Sequence, residues 1–335
     1  MPTKHGVFAG VDIGGTKTAV VLSSVPPQVL ERIVFPTLPA NGPDHAVASI
    51  IAAIYKTLKS QGFAVEDLAA IGVSCGSPLD SHAGVIQSPP NLQSWDQVPI
   101  KAILEREFGV ECLLENDANA GALAEFTFGA GKGTTNIVFL TMGTGLGAGL
   151  ILNGHLYRGC SDAAGEIGHV RLSSSGPSGY GKTGSAEGWA SGAGMAKVAK
   201  MALDAAILTS TPTVLAQLGE DLTAQVVWEA ARAGDSVACA VVQTCGEKLG
   251  EAIAILADIL NPERVVVGGL AIRMGEAILG PARKALERES LPTASAACDV
   301  VMAELGEEIG DVAALVVAME AERKATKERA QVGAV

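Results

Sequence analysis

The stretch Val7-Phe8-Ala9-Gly10-Val11-Asp12-Ile13-Gly14-Gly15-Thr16-Lys17-Thr18-Ala19-Val20-Val21-Leu22 decides how the chain begins to fold. Its two apolar, β-branched runs read as strands, and the glycine pair between them reads as the turn that joins them. A nucleotide loop of the Rossmann or Walker type opens into a helix, whose amide dipoles meet the phosphate. Here the glycines open into a second strand, which counts against both of those readings. Adjacent glycines in a hairpin still let several backbone amides approach an anion closely. Asp12, at the strand end, can hold a magnesium ion through water. An ordinary glycine hairpin is the plain alternative.

Beyond the hairpin the pattern predicts a third strand over 32–35, a helix over 45–59 and a strand over 69–74 that leads into Gly76-Ser77-Pro78. A helix over 100–108, a strand over 111–114 and a helix over 118–126 follow. The pattern then begins again: a strand over 136–142 ends in Gly143-Thr144-Gly145, a second strand covers 147–152, and Asn153-Gly154 is a hairpin-turn dipeptide. Residues 161–183 are loop-rich. Helices dominate 188–260, and a strand (264–267), a helix (274–289), a strand (300–303) and a last helix (311–327) complete the chain. A strand, glycine turn and strand thus open two successive α/β units, a weak internal duplication. Two lobes imply a cleft between them, the usual place for a ligand. The expected division is a small N-terminal lobe, 1–118, on which the last helix (about 312–327) packs back, and a larger lobe, 119–311. The charged tail after Lys327 is expected to fray.

Composition fits such a globular α/β protein. Of 335 residues, 48% are hydrophobic and 18% charged, which argues against disorder. A net charge of −12 disfavours nucleic acid, whose phosphates require clustered Lys and Arg. No apolar leader precedes Val7, and apolar runs such as 252–260 are too short to span a membrane, so no membrane partner and a cytoplasmic location are expected. The six cysteines (Cys75, Cys112, Cys160, Cys239, Cys245, Cys298) form no Cys-x-x-Cys pair and read as reduced thiols.

Several clusters carry candidate chemistry. Gly143-Thr144-Gly145 repeats the glycine turn in the second unit, and Gly268-Gly269 ends a buried strand before a helix, a place suited to a nucleotide. Glu115-Asn116-Asp117 joins a strand end to a helix start. Asn116 or Asp117 can serve there as a helix cap; alternatively Asp117 faces the cleft and accepts a proton from a hydroxyl nucleophile. Phosphoryl transfer asks little covalent work of a protein, so one positioned carboxylate and good charge stabilisation can suffice. Glu166 and His169, three residues apart in Gly165-Glu166-Ile167-Gly168-His169, and Glu187 in the following loop suit a polyhydroxylated ligand. A satisfied structural histidine is the competing reading of His169.

Together, Asp12-x-Gly-Gly-Thr, Glu115-Asn-Asp-Ala-Asn, Gly143-Thr-Gly-x-Gly, Gly165-Glu-x-Gly-His, Asn261-Pro262 and Gly268-Gly269 resemble, in order and spacing, the ROK family of sugar kinases and sugar-responsive repressors. The resemblance covers nearly the whole chain. It implies a two-lobed, actin-like ATPase (duplicated ribonuclease H-like) fold with its active site in the interlobe cleft, and an ATP- and Mg2+-dependent hexose kinase, expected as a homodimer or homotetramer. By resemblance Asp117 is the general base. Asn116, Glu166, His169 and Glu187 bind sugar hydroxyls, with Gly76 and Asn91 on loops expected to face the sugar. Asp12, Gly14, Gly15, Thr16, Lys17, Gly143, Thr144, Gly145, Gly268 and Gly269 bind the nucleotide. Glucose, phosphorylated at the 6-hydroxyl, is the favoured substrate, with N-acetylmannosamine and N-acetylglucosamine as alternatives.

Two departures from the family pattern stand out. Kinases of the family commonly hold a structural zinc through the Gly-His histidine and three cysteines. The aligned positions here are Ser178, Tyr180 and Ser185, so no zinc is predicted and the loop around Glu187 must be held by turns and hydrogen bonds. Gly76-Ser77-Pro78 also replaces the common Pro-Gly. A repressor of the family carries a helix-turn-helix domain before the first glycine motif; with a handful of residues before Val7 and an acidic net charge, that role is not expected here. An actin-like ATPase acting without a sugar would have no use for Glu166, His169 and Glu187.

Overall fold

The computed structural model describes residues 6–219 and 221–332. In chain order its elements are β1 (Val7–Ile13), β2 (Lys17–Ser23), β3 (Glu31–Pro36), α1 (Pro43–Ser60), β4 (Leu68–Cys75), β5 (Leu79–Asp80), β6 (Val85–Ile86), α2 (Ile100–Phe108), β7 (Cys112–Asn116) and α3 (Asp117–Phe128). There follow β8 (Ile137–Met142), β9 (Leu146–Leu152), β10 (His155–Leu156), β11 (Ser178–Gly179), β12 (Lys182–Thr183), α4 (Ala186–Ala190), α5 (Gly192–Leu208), α6 (Ala224–Arg232) and α7 (Ser236–Leu260). The last are β13 (Arg264–Gly269), α8 (Leu270–Met274), α9 (Glu276–Glu289), α10 (Pro292–Ala297), β14 (Asp299–Met302) and α11 (Ile309–Val332).

The chain forms two compact units. One holds the chain up to Gly129, the short segment Arg158–Asp162 and everything from Glu307 on; the other holds Ala130–Tyr157 and Ala163–Gly306. Each is built on a five-stranded sheet, ordered β3-β2-β1-β4-β7 in the first and β10-β9-β8-β13-β14 in the second. In both, an antiparallel hairpin (β1–β2, β8–β9) leads to a parallel trio (β1-β4-β7, β8-β13-β14). The two sheets therefore repeat one topology strand for strand, the duplicated plan of the actin-like fold.

The first unit's core gathers inward-facing strand positions such as Ala9, Val11, Val20 and Val73 against Ile50, Ile54 and Leu104 from α1 and α2. Its other face is covered by α11, which packs on β1, β4 and α3. Gly72 lets α11 lie directly on the sheet: a Cβ there would sit 2.2 Å from the carbonyl oxygen of Ala314. α3, which also packs against α11, carries the small buried residues Ala118, Ala120, Ala122 and Ala124. The second unit's core joins β8, β9 and β13 to α5, α7 and α9 through residues such as Val138, Val198, Leu249 and Ile278.

Two elements differ from the sequence expectation. The helix expected over 274–289 is α9, starting two residues later, and it is preceded by a short helix the sequence did not announce, α8, set off from it at Gly275, whose φ of +57° no continuing helix can hold. α11 continues through Val332, beyond residue 327, because its end is rich in Ala, Glu, Lys and Arg and carries helix-spaced contacts such as Arg323–Glu320 and Thr326–Glu322. Among the described residues, no helix is long and apolar enough to cross a membrane. All six cysteines, each within the described residues, are free thiols, and four of them are buried.

Candidate active site

In the first unit, strand register brings three chain segments to one sheet edge. Asp12 pairs in register with Ser74, and Ser74 with Glu115; Ile13 pairs with Cys75, and Cys75 with Asn116. The carboxyl ends of β1, β4 and β7 therefore lie side by side, the edge where open α/β sheets hold ligands. The turn after β1 is tied closed: Gly14 N–H donates to the Lys17 carbonyl at 3.0 Å, and Thr37 Oγ1 donates to the Gly14 carbonyl at 2.6 Å. Thr16 and Lys17 are exposed at its tip. The loop carrying Asn91 lies against Gly15, with the Asn91 carbonyl oxygen 2.8 Å from where a Cβ would stand. Gly76 has open space beside it, next in sequence to Ser77.

Asp12 is electrostatically uncomfortable at this edge. Burial, then the nearby carboxylates of Asp117 and Asp311, push its carboxyl up to about 6, against the opposing pull of Lys17 and a hydrogen bond from Ser74. Asp311 comes from α11 and is held by Arg32 Nε at 2.5 Å. A crowded set of hard oxygen donors with a proton affinity this high is one that a hydrated divalent cation would relieve. The residues thus fit magnesium held at Asp12 through water. Among the described residues no group of three or more His, Cys, Asp and Glu side chains converges on a direct metal site.

The Asn116-Asp117 pair divides its duties. Asn116 is the helix cap: its Oδ1 accepts the N–H groups of Ala118 (2.9 Å) and Asn119 (3.3 Å), while its Nδ2 donates to Ser77 Oγ at 2.7 Å. Asn116 is thus the N-cap, and Asp117 occupies the first helical position. Asp117 is exposed, with Oδ1 accepting the Ala118 N–H at 2.8 Å.

The second unit repeats the arrangement with glycines. Gly143 N–H donates to the Gly145 carbonyl at 3.0 Å, and the start of α5 braces the turn from outside, Gly192 N–H to Gly143 O (2.8 Å) and Ala193 N–H to Thr144 O (3.2 Å). Gly268 and Gly269 lie in register beside Thr141 and Met142, so the turn after β8 and the end of β13 are neighbours. Gly269 has φ +71°, and a Cβ there would stand 2.3 Å from the Met142 carbonyl oxygen, so no other residue fits the strand-to-helix turn. Glu187 is more engaged than a free sugar ligand: Oε2 accepts the Leu146 N–H at 3.2 Å, at the end of the glycine turn. Glu166 and His169 are exposed in the 3-10 turn over Ile167–His169, where His169 meets Tyr180 edge-on with ring centroids 6.4 Å apart.

The loop around Glu187 is held by hydrogen bonds. Of the three positions where the family pattern carries cysteines, Tyr180 is exposed and Ser185 is fully buried with its hydroxyl occupied. Ser185 Oγ accepts the N–H groups of Gly179 (3.1 Å) and Gly188 (3.2 Å), tying β11 to α4. Lys197 Nζ holds the Ser178 carbonyl at 2.6 Å. Ser185→Ala leaves two buried N–H groups without acceptors and is expected to cost about 1–3 kcal/mol. A lowered denaturation midpoint in the variant, with a wild-type midpoint indifferent to chelator, is the outcome to look for.

The sequence pattern of the ROK family matches residues 8–321. The chain belongs to the ROK family. A glucokinase of Halalkalibacterium halodurans is 33% identical to this ROK protein over 311 residues, covering 90% of this chain and 92% of that one. A glucokinase of Thermotoga maritima is 33% identical over 302 residues, 90% of this chain and 93% of its own. The crystal structure of a ROK family glucokinase from Streptomyces griseus in complex with glucose and AMPPNP is 32% identical, with a TM-score of 0.73 over 94% of this chain and 100% of that one.

Several residues of this ROK protein's sheet edge carry no signal in the sequence. Ser74 belongs to no motif, Ser77 shows only as part of the Gly76-Ser77-Pro78 departure with no role attached, and Asp311 reaches Asp12 from the far end of the chain. Arg158, which grips Glu115, comes from a segment with no pattern at all.

Proposed function

We propose that this protein transfers the γ-phosphoryl group of ATP to a hexose, glucose foremost, at the 6-hydroxyl. The observation that carries the reading is the likeness, at about one-third identity over nine-tenths of both chains, to glucokinases. The local geometry adds support, since Asn116 caps α3 and Asp117 stands exposed at the first helical position beside it.

On this reading the Asp117 carboxylate takes the proton of the 6-hydroxyl as its oxygen forms a bond to the γ-phosphorus. The bond from that phosphorus to the β–γ bridging oxygen breaks, and ADP leaves with the electron pair. Asn116, Glu166, His169 and Glu187 orient the sugar hydroxyls, with Gly76 and Asn91 beside them. Backbone amides of the turns at Gly14, Gly15, Thr16 and Lys17 and at Gly143, Thr144 and Gly145, together with Gly268 and Gly269, receive the nucleotide. Asp12 would hold magnesium through water, and the ion would supply charge neutralisation on the phosphates. Positioning and charge stabilisation then do what covalent chemistry does in other enzymes.

A phosphorylation panel tests the substrate. Glucose, mannose, N-acetylmannosamine and N-acetylglucosamine are each offered with ATP and ADP release is followed. Glucose is expected to give the highest kcat/KM, by about tenfold or more over the N-acetylhexosamines, the scale of one misplaced substituent in a pocket. An N-acetylhexosamine ranking first would reassign the substrate, and no turnover on any hexose would end the kinase reading.

A further inference from the structure

Glu115 is a buried carboxylate for which the phosphoryl-transfer scheme has no task. It is 3% exposed, at the end of β7 and directly before Asn116-Asp117. Its Oε1 accepts the backbone N–H of Asn116 at 3.0 Å and Nδ2 of Asn119 at 2.9 Å. One carboxylate oxygen thus grips the residue before Asp117 and a side chain two residues after it. The other, Oε2, receives both Nε (2.8 Å) and Nη2 of Arg158.

A carboxylate taken out of water costs several kcal/mol unless it is paired and hydrogen-bonded, so Arg158 is what permits a charged group here. Arg158 opens the segment Arg158–Asp162, which belongs to the first unit although the chain on both sides of it belongs to the second. The far end of the segment is pinned as well, Asp162 Oδ2 accepting the Ser81 N–H at 2.8 Å. Ser81 directly follows β5, a few residues beyond Ser77, which receives Asn116 Nδ2. The contacts close a circuit: Asn116 to Ser77, along the chain to Ser81, across to Asp162, back to Arg158, and through Glu115 to Asn116 again.

We propose that Glu115 and Arg158 are positioning residues for the phosphoryl transfer, their ion pair fixing the Asn116-Asp117 turn so that the base and the sugar-binding amide are held in one geometry. The proposal rests on the reading of Asp117 as base. An Asp at the first turn of a helix has rotamer freedom to lose, and a displacement of about 1 Å at a reacting group can cost about 100-fold in rate. A charge-assisted bond to a carboxylate holds the Asn116 N–H more tightly than a bond to a neutral acceptor, and Arg158 pairs with the other oxygen of that carboxylate.

The test compares Arg158→Met, Arg158→Lys and the double variant Glu115→Gln/Arg158→Met by steady-state kinetics and thermal denaturation. Arg158→Met is expected to lower kcat/KM for glucose by about 100-fold while KM for ATP stays within about twofold, because the turn it loosens carries the sugar and the base. Arg158→Lys restores the charge without the two-nitrogen contact and is expected to recover to within about tenfold of wild type. The double variant keeps a neutral acceptor for the Asn116 N–H and leaves no unpaired buried charge, so it remains testable if Arg158→Met does not fold, and it too should be impaired on glucose. A folded Arg158→Met or double variant with glucose kcat/KM within about threefold of wild type, whatever its melting temperature, overturns the positioning role. If Asp117→Ala keeps turnover, the base assignment fails independently; if Asp117→Ala is inactive and Arg158→Met is not impaired, only the positioning role fails.

Discussion

Asp117→Ala is expected to lower kcat by about 1,000-fold or more, with glucose still bound within about an order of magnitude of wild type. Removing a general base withdraws an interaction that matters chiefly as the proton moves, so the loss falls on kcat rather than on sugar affinity. The fold should hardly notice. Asn116 keeps capping α3 through Ala118 and Asn119, so the Ala118 N–H that Asp117 shares keeps an acceptor, and the acid at the helix start itself is worth about 0.3–1 kcal/mol. Relief of its repulsion with Asp12 works in the opposite direction. Calorimetric titration with glucose and a melting curve, run on the same preparation as the kinetics, separate lost chemistry from lost structure. A variant that turns over within about tenfold of wild type sends the base elsewhere.

Asp12→Asn should do two opposite things. In the protein alone, the Asp12 carboxyl is pushed up to about 6 by burial and by the carboxylates of Asp117 and Asp311, so its ionised form is disfavoured in the folded protein. The sign follows from linkage: folding favours the protonated acid, a stabilisation fully present below about pH 4 and lost as pH rises through about 6. Near pH 7.5 the ionised Asp12 therefore weighs against the apoprotein by roughly 2–3 kcal/mol, a figure that partial solvent access reduces. A neutral Asn of the same shape removes that weight. The variant should melt higher than wild type near pH 7.5, by several degrees, and the difference should shrink as pH falls toward about 4. Its kinase activity should fall by about 100-fold, since the carboxylate assigned to magnesium is gone. Denaturation from about pH 4 to about pH 8 and kinetics at the upper end check the two halves. A variant less stable than wild type at the upper end would mean that Asp12 is held by favourable contacts and not strained by its neighbours.

Much of this is legible in the sequence because the relevant signals are local. The β1–β2 hairpin and its counterpart β8–β9 are each spelled by two apolar runs about a glycine turn, and the repeat of that spelling points to the duplicated sheet. The helix over Ile100–Phe108 is readable from spacing alone. The short helix α8 ahead of Gly275 is not, because five residues are too few to show a helical period. In the site, Asn116 and Asp117 are both plausible caps from sequence, since both residue types accept backbone N–H groups; the division between them depends on rotamers. Serines in place of the cysteines tell that the Glu187 loop needs another means of support, but not that a single hydroxyl, Ser185 Oγ, ties Gly179 to Gly188. Glu187, which the motif assigns to sugar, spends one oxygen on Leu146 N–H, a contact between distant parts of the chain with no sequence trace. Asp311 and Arg158 are invisible for the same reason: charge pairs between distant segments leave no period and no motif.

The measurement that bears most directly on the central claim is phosphorus NMR of the wild-type protein incubated with glucose, ATP and magnesium. The expected spectrum shows ATP converted to ADP with one new phosphomonoester per ADP, coupled to the two protons on carbon 6 of the sugar. ADP formed with inorganic phosphate alone, at a rate indifferent to glucose, would contradict the assignment of this site to sugar phosphorylation.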